Sequence, residues 1–397
     1  MKRNQGVTIV ALVITIVVLL ILAGISISLV LTNNGMISKA KGARNQYTES
    51  QTNDEKQLEE TTDWIDEKVT GIKMIEGVPI PEDYYYVGGT KAKGIVISDE
   101  QEDEGAYKNA TNGEVGKNLK GNQWVWVPVE EPSSLYTTVS DGIELSENLE
   151  IKTTKYTNSA IVKGITRGTP GNASNLREPD ILTYPGYDDI NCTKAGFSSL
   201  ENMAENMVSD YDEMIRSLDE YKGFYIGRYE LTANGEKKGA SQTTLNGISW
   251  YTLYKNCTTL AKGNKVKTRM IWGLQWDATC NWINGSGYSI TNSITWGNYK
   301  DYNTGNNYET TNEKYEAGAG KPQNTGFSEN WKANNIYDFA GNFQEYTQDA
   351  KNTNLRAFRG GYYGGAGSSY PALICGGYDP TSTNSGVGTR STLYLIP

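Results

Sequence analysis

The sequence predicts an α+β fold, a loop-rich mixed domain preceded by an N-terminal transmembrane helix and a helical stalk. Three observations carry this. Residues Val7–Leu31 hold no charge, and about 20 apolar residues wound as a helix span a bilayer core. Leu58, Thr62, Ile65, Val69 and Ile72 recur at spacings of four, three, four and three, a one-sided helical stripe. From Gly77-Val78-Pro79-Ile80-Pro81 onward, short aromatic and β-branched runs alternate with Gly, Asn and Pro, the pattern of strands joined by turns. The boundaries that follow are 1–35 for the membrane segment, 36–73 for the stalk and 74–397 for the domain.

Composition narrows the function classes. Against 37 Lys and Arg stand 46 Asp and Glu, a net charge of -9. No basic stripe is left to meet phosphates, so neither nucleic acid nor an anionic membrane surface is an expected partner. The chain has no histidine. That removes Ser–His triads, a histidine general base and histidine-ligated metals. Cys192, Cys257, Cys280 and Cys375 are widely spaced without a CxxC pair, which does not suggest zinc. Four separate buried thiols, or one or two disulfides in an extracellular setting, are both open. The core must rest largely on aromatics, with 27 Tyr, 9 Trp and 6 Phe, because each buries a large area.

In chain order, Lys2 and Arg3 precede the apolar run and Lys39, Lys41 and Arg44 follow it, so charge alone leaves the orientation open. A six-residue tail is most simply kept in the cytoplasm, which puts the remaining mass outside. Three readings of this start stand side by side. Leu22-Ala23-Gly24 offers a signal-peptidase site; a plain signal anchor needs nothing more. The third rests on the basic residues, Gly6 and the uninterrupted Val7-Thr8-Ile9-Val10-Ala11, which resemble a type IV prepilin leader and imply cleavage between Gly6 and Val7. Pilins usually carry Glu at the fifth mature position, where this chain has Ala11.

Further on, Asn122–Val129 (NQWVWVPV) alternates aromatic and β-branched residues and stops near Pro128, which reads as a strand near a sheet edge. Glu130–Lys194 is rich in Ser, Thr, Asn and Gly and reads as inserted loops. Met203, Met207, Tyr211, Met214 and Ile215 give Leu200–Leu218 helical spacing. Gly223–Glu230 reads as a strand, Ser249 as the N-cap of a helix, and Met270–Ile283 as a second helix with Trp272, Trp276, Cys280 and Ile283 on one face. Ala357–Leu395 reads as strand, loop and strand with dense glycine.

Six blocks in order resemble the formylglycine-generating (sulfatase-modifying factor) family. They are GFYIGRYE at Gly223–Glu230, ISWYTLY at Ile248–Tyr254, WGLQWDATCNWI at Trp272–Ile283, NIYDFAGNFQEYT at Asn335–Thr347, FRGG at Phe358–Gly361 and GTRSTLYL at Gly388–Leu395. The resemblance spans the chain from roughly Gly77 onward and implies a C-type lectin-like α+β domain with long ordered loops. Such loops need residues tolerant of left-handed backbone, which suits the Asn and Gly content. The family oxidises a substrate cysteine with a copper-binding cysteine pair placed between the two glycine-rich strands. Here that segment, Gly361–Gly388, holds only Cys375. A thiolate copper site needs two soft ligands, so copper is not expected, and Cys280 could join only by accident of folding. The family's calcium loop maps onto Asp338 and Glu345 as carboxylates and Gly341 and Phe343 as carbonyls, hard oxygen ligands of the kind Ca²⁺ takes. The other reading is that Glu345 caps backbone amides without metal.

Tyr362–Thr389 is Tyr, Gly, Ser, Thr and Asn with few charges, the composition of a paratope. It also resembles the C-terminal region of retroelement-diversified variable proteins built on the same fold. The implied ligand-facing residues are Tyr362, Tyr363, Ser368, Tyr370, Cys375, Tyr378 and Thr389, the last standing where the family strand has phenylalanine. The functional expectation is a single-pass cell-surface or pilus-associated, adhesin-like binding protein. Its extracellular, catalytically inactive head would meet a protein or glycan ligand, with other pilins as further partners. A cysteine-dependent copper oxidase and a structural minor pilin are the alternatives.

Overall fold

The computed structural model describes residues 14–22, 36–104, 114–132, 136–139, 142–145, 155–157, 188–237, 243–302, 319–352 and 355–397. The chain falls into two compact units, Met1–Val69 and Thr70–Pro397. In the first, residues 14–22 are helical and exposed, while the expected cleavage point between Gly6 and Val7 and the rest of the apolar run lie outside the described residues. Among the described residues no helix is long and apolar enough to cross a membrane. The stalk segment forms a continuous helix, α1 (Met36–Thr70). Thr48, Thr52, Thr61 and Thr62 return their hydroxyls to the carbonyls four residues back, which keeps these polar groups satisfied on the helix surface. The apolar stripe is solvent-facing at Leu58 and Ile65, and Ile72 falls beyond the helix end.

The second unit is α+β. Its main sheet has the order β10 (Val266–Met270), β17 (Ser391–Leu395), β9 (Gly223–Gly227), β5 (Gln123–Pro128), β4 (Val96–Ser98) and β3 (Tyr85–Gly88), every pair antiparallel. Side chains alternate across a strand, and here both faces are covered. Val125, Val127, Phe224, Ile226 and Tyr394 join the larger core. Trp124, Trp126, Tyr225 and Leu393 join a smaller core on the opposite face with Tyr84 and with Val78 and Ile80 of the antiparallel pair β1 (Lys73–Ile75) and β2 (Val78–Ile80). Each fully buried apolar side chain contributes about 1.5–3 kcal/mol. Two of the polar tips find partners, Trp124 Nε1 donating to Ser391 Oγ at 3.0 Å and the Tyr225 hydroxyl to the Pro79 carbonyl at 2.9 Å, whereas Trp126 Nε1 has none.

Two-sided burial explains why the expectation for NQWVWVPV needs correcting. The strand is interior, between β4 and β9, because aromatics serve one face and valines the other. Pro128 is tolerated because it is the last residue, past the point where β4 pairs. Glu130–Lys194 is also more structured than expected. It contains a three-stranded antiparallel sheet of β6 (Tyr136–Val139), β7 (Gly142–Leu145) and β8 (Lys155–Thr157), and ends in helix α2 (Asp189–Ala195). The Gly223 strand stops at Gly227, short of Glu230.

The larger core is closed by α3 (Leu200–Tyr221), α4 (Trp250–Cys257) and α5 (Gly273–Gly285). Met203, Met207, Tyr211, Met214 and Leu218 all point inward from α3. Ser249 caps α4 as expected, its hydroxyl accepting from the Thr252 amide at 3.4 Å. The second expected helix begins only at Gly273, because Val266–Met270 pairs with β17 as a strand. Trp272, Trp276, Cys280 and Ile283 are all buried, but so are Leu274, Gln275, Asp277 and Thr279, so α5 is enclosed on several sides.

A second sheet positions the candidate site. Its order is β15 (Gly376–Tyr378), β14 (Leu355–Arg359), β13 (Gln344–Asn352) and β16 (Val387–Thr389), with β13 and β16 parallel. A small hairpin, β11 (Lys332–Ala333) with β12 (Ile336–Tyr337), leads into it. Its turn residues Asn334 and Asn335 have φ of 45° and 65°, as a tight two-residue turn requires.

Candidate binding site

The NIYDFAGNFQEYT segment forms a buried ionic hub. Glu345 and Arg390 are both fully buried, and the guanidinium meets the two carboxylate oxygens at 2.5 and 2.6 Å. Arg390 also donates to the carbonyls of Gly227 and Tyr337, each at 3.0 Å. One side chain thereby joins the main sheet, the hairpin and β13. Asn342 is the second junction. Its amide donates to Glu230 at 2.6 Å, and its oxygen accepts from Asn298 at 3.0 Å and from the Gln323 amide at 3.1 Å. Glu230 further accepts the Thr244 hydroxyl and the Phe343 amide. Asp338 accepts from Thr325 at 3.0 Å and from the Gly326 amide at 2.7 Å through one oxygen, while its Oδ1 has no hydrogen-bond partner.

Taken as a set of four, the calcium ligands implied by the resemblance do not fit an ion. Both oxygens of Glu345 are occupied by a guanidinium, which supplies the positive charge a cation would bring. Asp338 Oδ1 is the one free carboxylate oxygen of the set. Among the described residues no group of three or more acidic or thiol ligands is placed to hold a metal. Chelation by EDTA is therefore expected to leave the melting temperature of the protein unchanged. A fall that added Ca²⁺ reverses would restore the calcium reading.

Burial raises the acids here. Glu230 lies well above the ordinary carboxyl range, first through burial and then through the charges of Asp338 and Glu345. Burial likewise lifts Asp338 to about 6. Glu236, fully buried, is pushed from 4.5 to about 8 by burial, against the Ser391 amide that donates to its Oε1 at 2.6 Å. Its Oε2 has no partner, which suits a protonated carboxyl. The folded state thus holds a proton that the unfolded chain releases above 4.5, so this contribution to stability is complete below pH 4.5 and falls as pH rises to about 8. One such proton gives a slope of about 1.4 kcal/mol per pH unit. Glu236→Gln is expected to flatten that much of the decline in denaturant unfolding measured across the window. An unchanged slope would show that Glu236 ionises normally.

Tyr362, Tyr363, Tyr370 and Tyr378 converge on a depression of about 480 Å³ over the second sheet. Tyr362 stands edge-on to Tyr370 with centroids 5.2 Å apart and to Tyr363 at 6.0 Å, while Phe358 stacks on Tyr378 at 4.8 Å. No charged residue lines it. Four of the seven expected ligand-facing residues are therefore together. Ser368 is exposed but not part of the lining. Cys375 and Thr389 are buried, Cys375 beneath Lys351, whose ammonium donates to its carbonyl at 3.1 Å, and Thr389 through a bond to the Tyr346 carbonyl at 2.8 Å. The parallel pairing of β16 with β13 turns the Thr389 side chain inward. Sequence reasoning missed Gln344, Phe358, Gly377 and the Asn384-Ser385-Gly386 turn, which complete the lining. Only the Asn-Ser-Gly turn chemistry gave a local signal for them.

All four cysteines are buried thiols outside any disulfide. Burial pushes Cys192 up to about 11 and raises Cys257 well above its ordinary value, which disfavours the reactive thiolate at both. The chemistry offered by the depression is thus recognition by aromatic edges and hydroxyls.

No protein-family model matches the chain, and no curated protein matches it. Among solved structures, Treponema denticola variable protein 1 is similar at 15% identity over 44% of this chain and 85% of that one, with a TM-score of 0.29. A crystal structure of CarF is similar at 12% identity over 44% of this chain and 87% of that one, with a TM-score of 0.32. At these scores neither carries an argument about function.

Proposed function

We propose that this chain is a cell-surface or pilus-associated binding protein of adhesin type. In this reading the Thr70–Pro397 unit is a catalytically inactive, C-type lectin-like head, and the apolar N-terminal run is its single membrane anchor. The observation that supports it is the uncharged depression walled by Tyr362, Tyr363, Tyr370 and Tyr378. Tyrosine gives a large amphipathic contact area for two rotatable bonds, so little conformational entropy is lost when a ligand orders it. Tyr370 is one of only two aromatics on the described surface of this unit that are more than about a third exposed, at 38%. A protein or glycan outside the cell is the matching ligand class.

The test is binding of the full chain, held in detergent, to arrays of surface glycans and extracellular proteins. Tyr362→Ala with Tyr370→Ala is expected to weaken the ligands found by about 30-fold or more, the loss typical of central aromatic anchors. Retention of every ligand by the double variant would sink this reading. Sequencing the same locus in sibling strains gives a second check. Substitutions are expected at the four lining tyrosines, while the buried Cys375 and Thr389 stay constant.

A further inference from the structure

A second, larger cleft of about 1170 Å³ lies on the same unit, walled by residues 114–119 and 324–329 and floored by Arg228 and Tyr337. Arg228 is only 6% exposed. It lies 5.4 Å from the Tyr229 ring and 5.3 Å from the Tyr337 ring, which stack on one another at 5.0 Å. Its Nε donates to the Asn335 carbonyl and its Nη1 to Gln123. Among the described residues its Nη2 has no protein partner, and the guanidinium pairs with no carboxylate. A buried cation left without a counter-charge is costly unless something supplies one.

The rest of the lining points the same way. Lys93 and Lys117 also face the cleft without a carboxylate partner among the described residues. Glu329 is already engaged by Lys332 and the Tyr337 hydroxyl, each with a 2.6 or 2.7 Å contact, which leaves Glu114 as the opposing charge. On a chain of net charge -9, this is a local excess of cations. The other strongly exposed aromatic of the unit, Phe327 at 49%, stands at the same cleft with its ring stacked on Trp331. That gives one apolar plate, and the exposed Asn118 adds an amide.

We infer that this cleft binds an acidic oligosaccharide, its carboxylates met by Arg228, Lys93 and Lys117 and one sugar face laid on Phe327. A sugar presents an apolar CH face and a hydroxyl rim, which an aromatic plate beside amides and cations matches. The volume exceeds the roughly 300–1,000 Å³ of single small-molecule sites, so it suits several linked rings. The two walls are loops and not a free strand edge, so no backbone ladder is offered to an extended peptide.

The experiment titrates the full chain in detergent with trigalacturonic acid, with maltotriose as the neutral control and hexaglutamate as the acidic peptide. Saturable binding of the acidic sugar is expected, with maltotriose inert. Lys93→Ala with Lys117→Ala, both exposed and without a carboxylate partner among the described residues, should weaken it by about tenfold and reduce its salt dependence. Phe327→Ala should weaken it several-fold, and Tyr362→Ala with Tyr370→Ala should leave it unchanged. Absence of binding at millimolar sugar, or equal binding by the lysine variant at unchanged melting temperature, overturns the proposal. Equal binding of maltotriose removes the role of charge, and hexaglutamate binding indifferent to Phe327→Ala makes the ligand a peptide; either result also overturns it.

Discussion

Glu345→Ala is expected to destabilise the Thr70–Pro397 unit by about 3–5 kcal/mol, the cost of leaving a buried charge without its partner. Arg390 is completely buried and would keep its bonds to the Gly227 and Tyr337 carbonyls, but no carboxylate would be hydrogen-bonded to it, Glu230 and Glu236 acting only through space. Thermal unfolding followed by tryptophan fluorescence reads the effect directly, because Trp124, Trp126 and Trp276 are all buried. An unfolding entropy of about 2.1 cal/mol/K per residue gives about 1.5 °C per kcal/mol for a unit of this size, so a fall of roughly 4–7 °C follows. The companion variant Glu345→Leu with Arg390→Met should recover much of the loss, since replacing both members of a buried pair by packed apolar groups is often neutral. If the single and double variants melt together, the pair is not what holds the hub.

The second large effect is expected from Gly341→Ala. The residue has φ of +76°, and a Cβ there would stand 2.3 Å from the Asn298 carbonyl oxygen and 2.8 Å from its backbone N and C. The neighbours are backbone and cannot rotate away. Gly341 is moreover held on two sides, by its own amide to the Gly360 carbonyl at 2.6 Å and by the next amide to Asn298 at 3.0 Å. Backbone strain of about 1–2 kcal/mol adds to overpacking of about 1–3 kcal/mol, so roughly 2–5 kcal/mol is lost. Gly247→Ala is the control, because φ is +67° there but nothing lies within 4 Å. Its cost should be the strain alone. Equal costs at the two sites would remove the packing argument.

Much of the hub was legible as a motif and little of it as a mechanism. NIYDFAGNFQEYT marks where Asp338, Gly341 and Glu345 lie, but nothing local announces that Glu345 is answered by Arg390 or that Glu230 receives Asn342. Those partners lie just after β9 and just before β17, strands distant in sequence that sheet pairing brings together. The tyrosine depression was readable from composition because its four tyrosines come from one stretch, Tyr362–Tyr378. Its false members had a common cause: Cys375 and Thr389 share that composition, yet burial is set by which way each strand faces. Pro128 misled because a missing amide matters only toward the strand it would face, here the β4 side like the Trp126 amide, and β4 pairs only as far as Val125. The cationic cleft left no trace in the sequence, since Lys93, Lys117 and Arg228 arrive from three separated segments.

The placement of β17 sets a condition on how the chain can be made. The strand comes last among the elements, yet it lies inside the main sheet between β9 and β10, and Arg390 immediately precedes it. A nascent chain that has not passed Leu395 lacks an interior strand and the cation of the hub together. Its β9 and β10 would present unpaired edges, the kind that invite pairing with other chains. Pairings so distant in sequence also form slowly. The unit must therefore be completed before it can close, and a translocon or chaperone that keeps the chain extended until then would suit its topology better than folding from the N-terminus as it emerges.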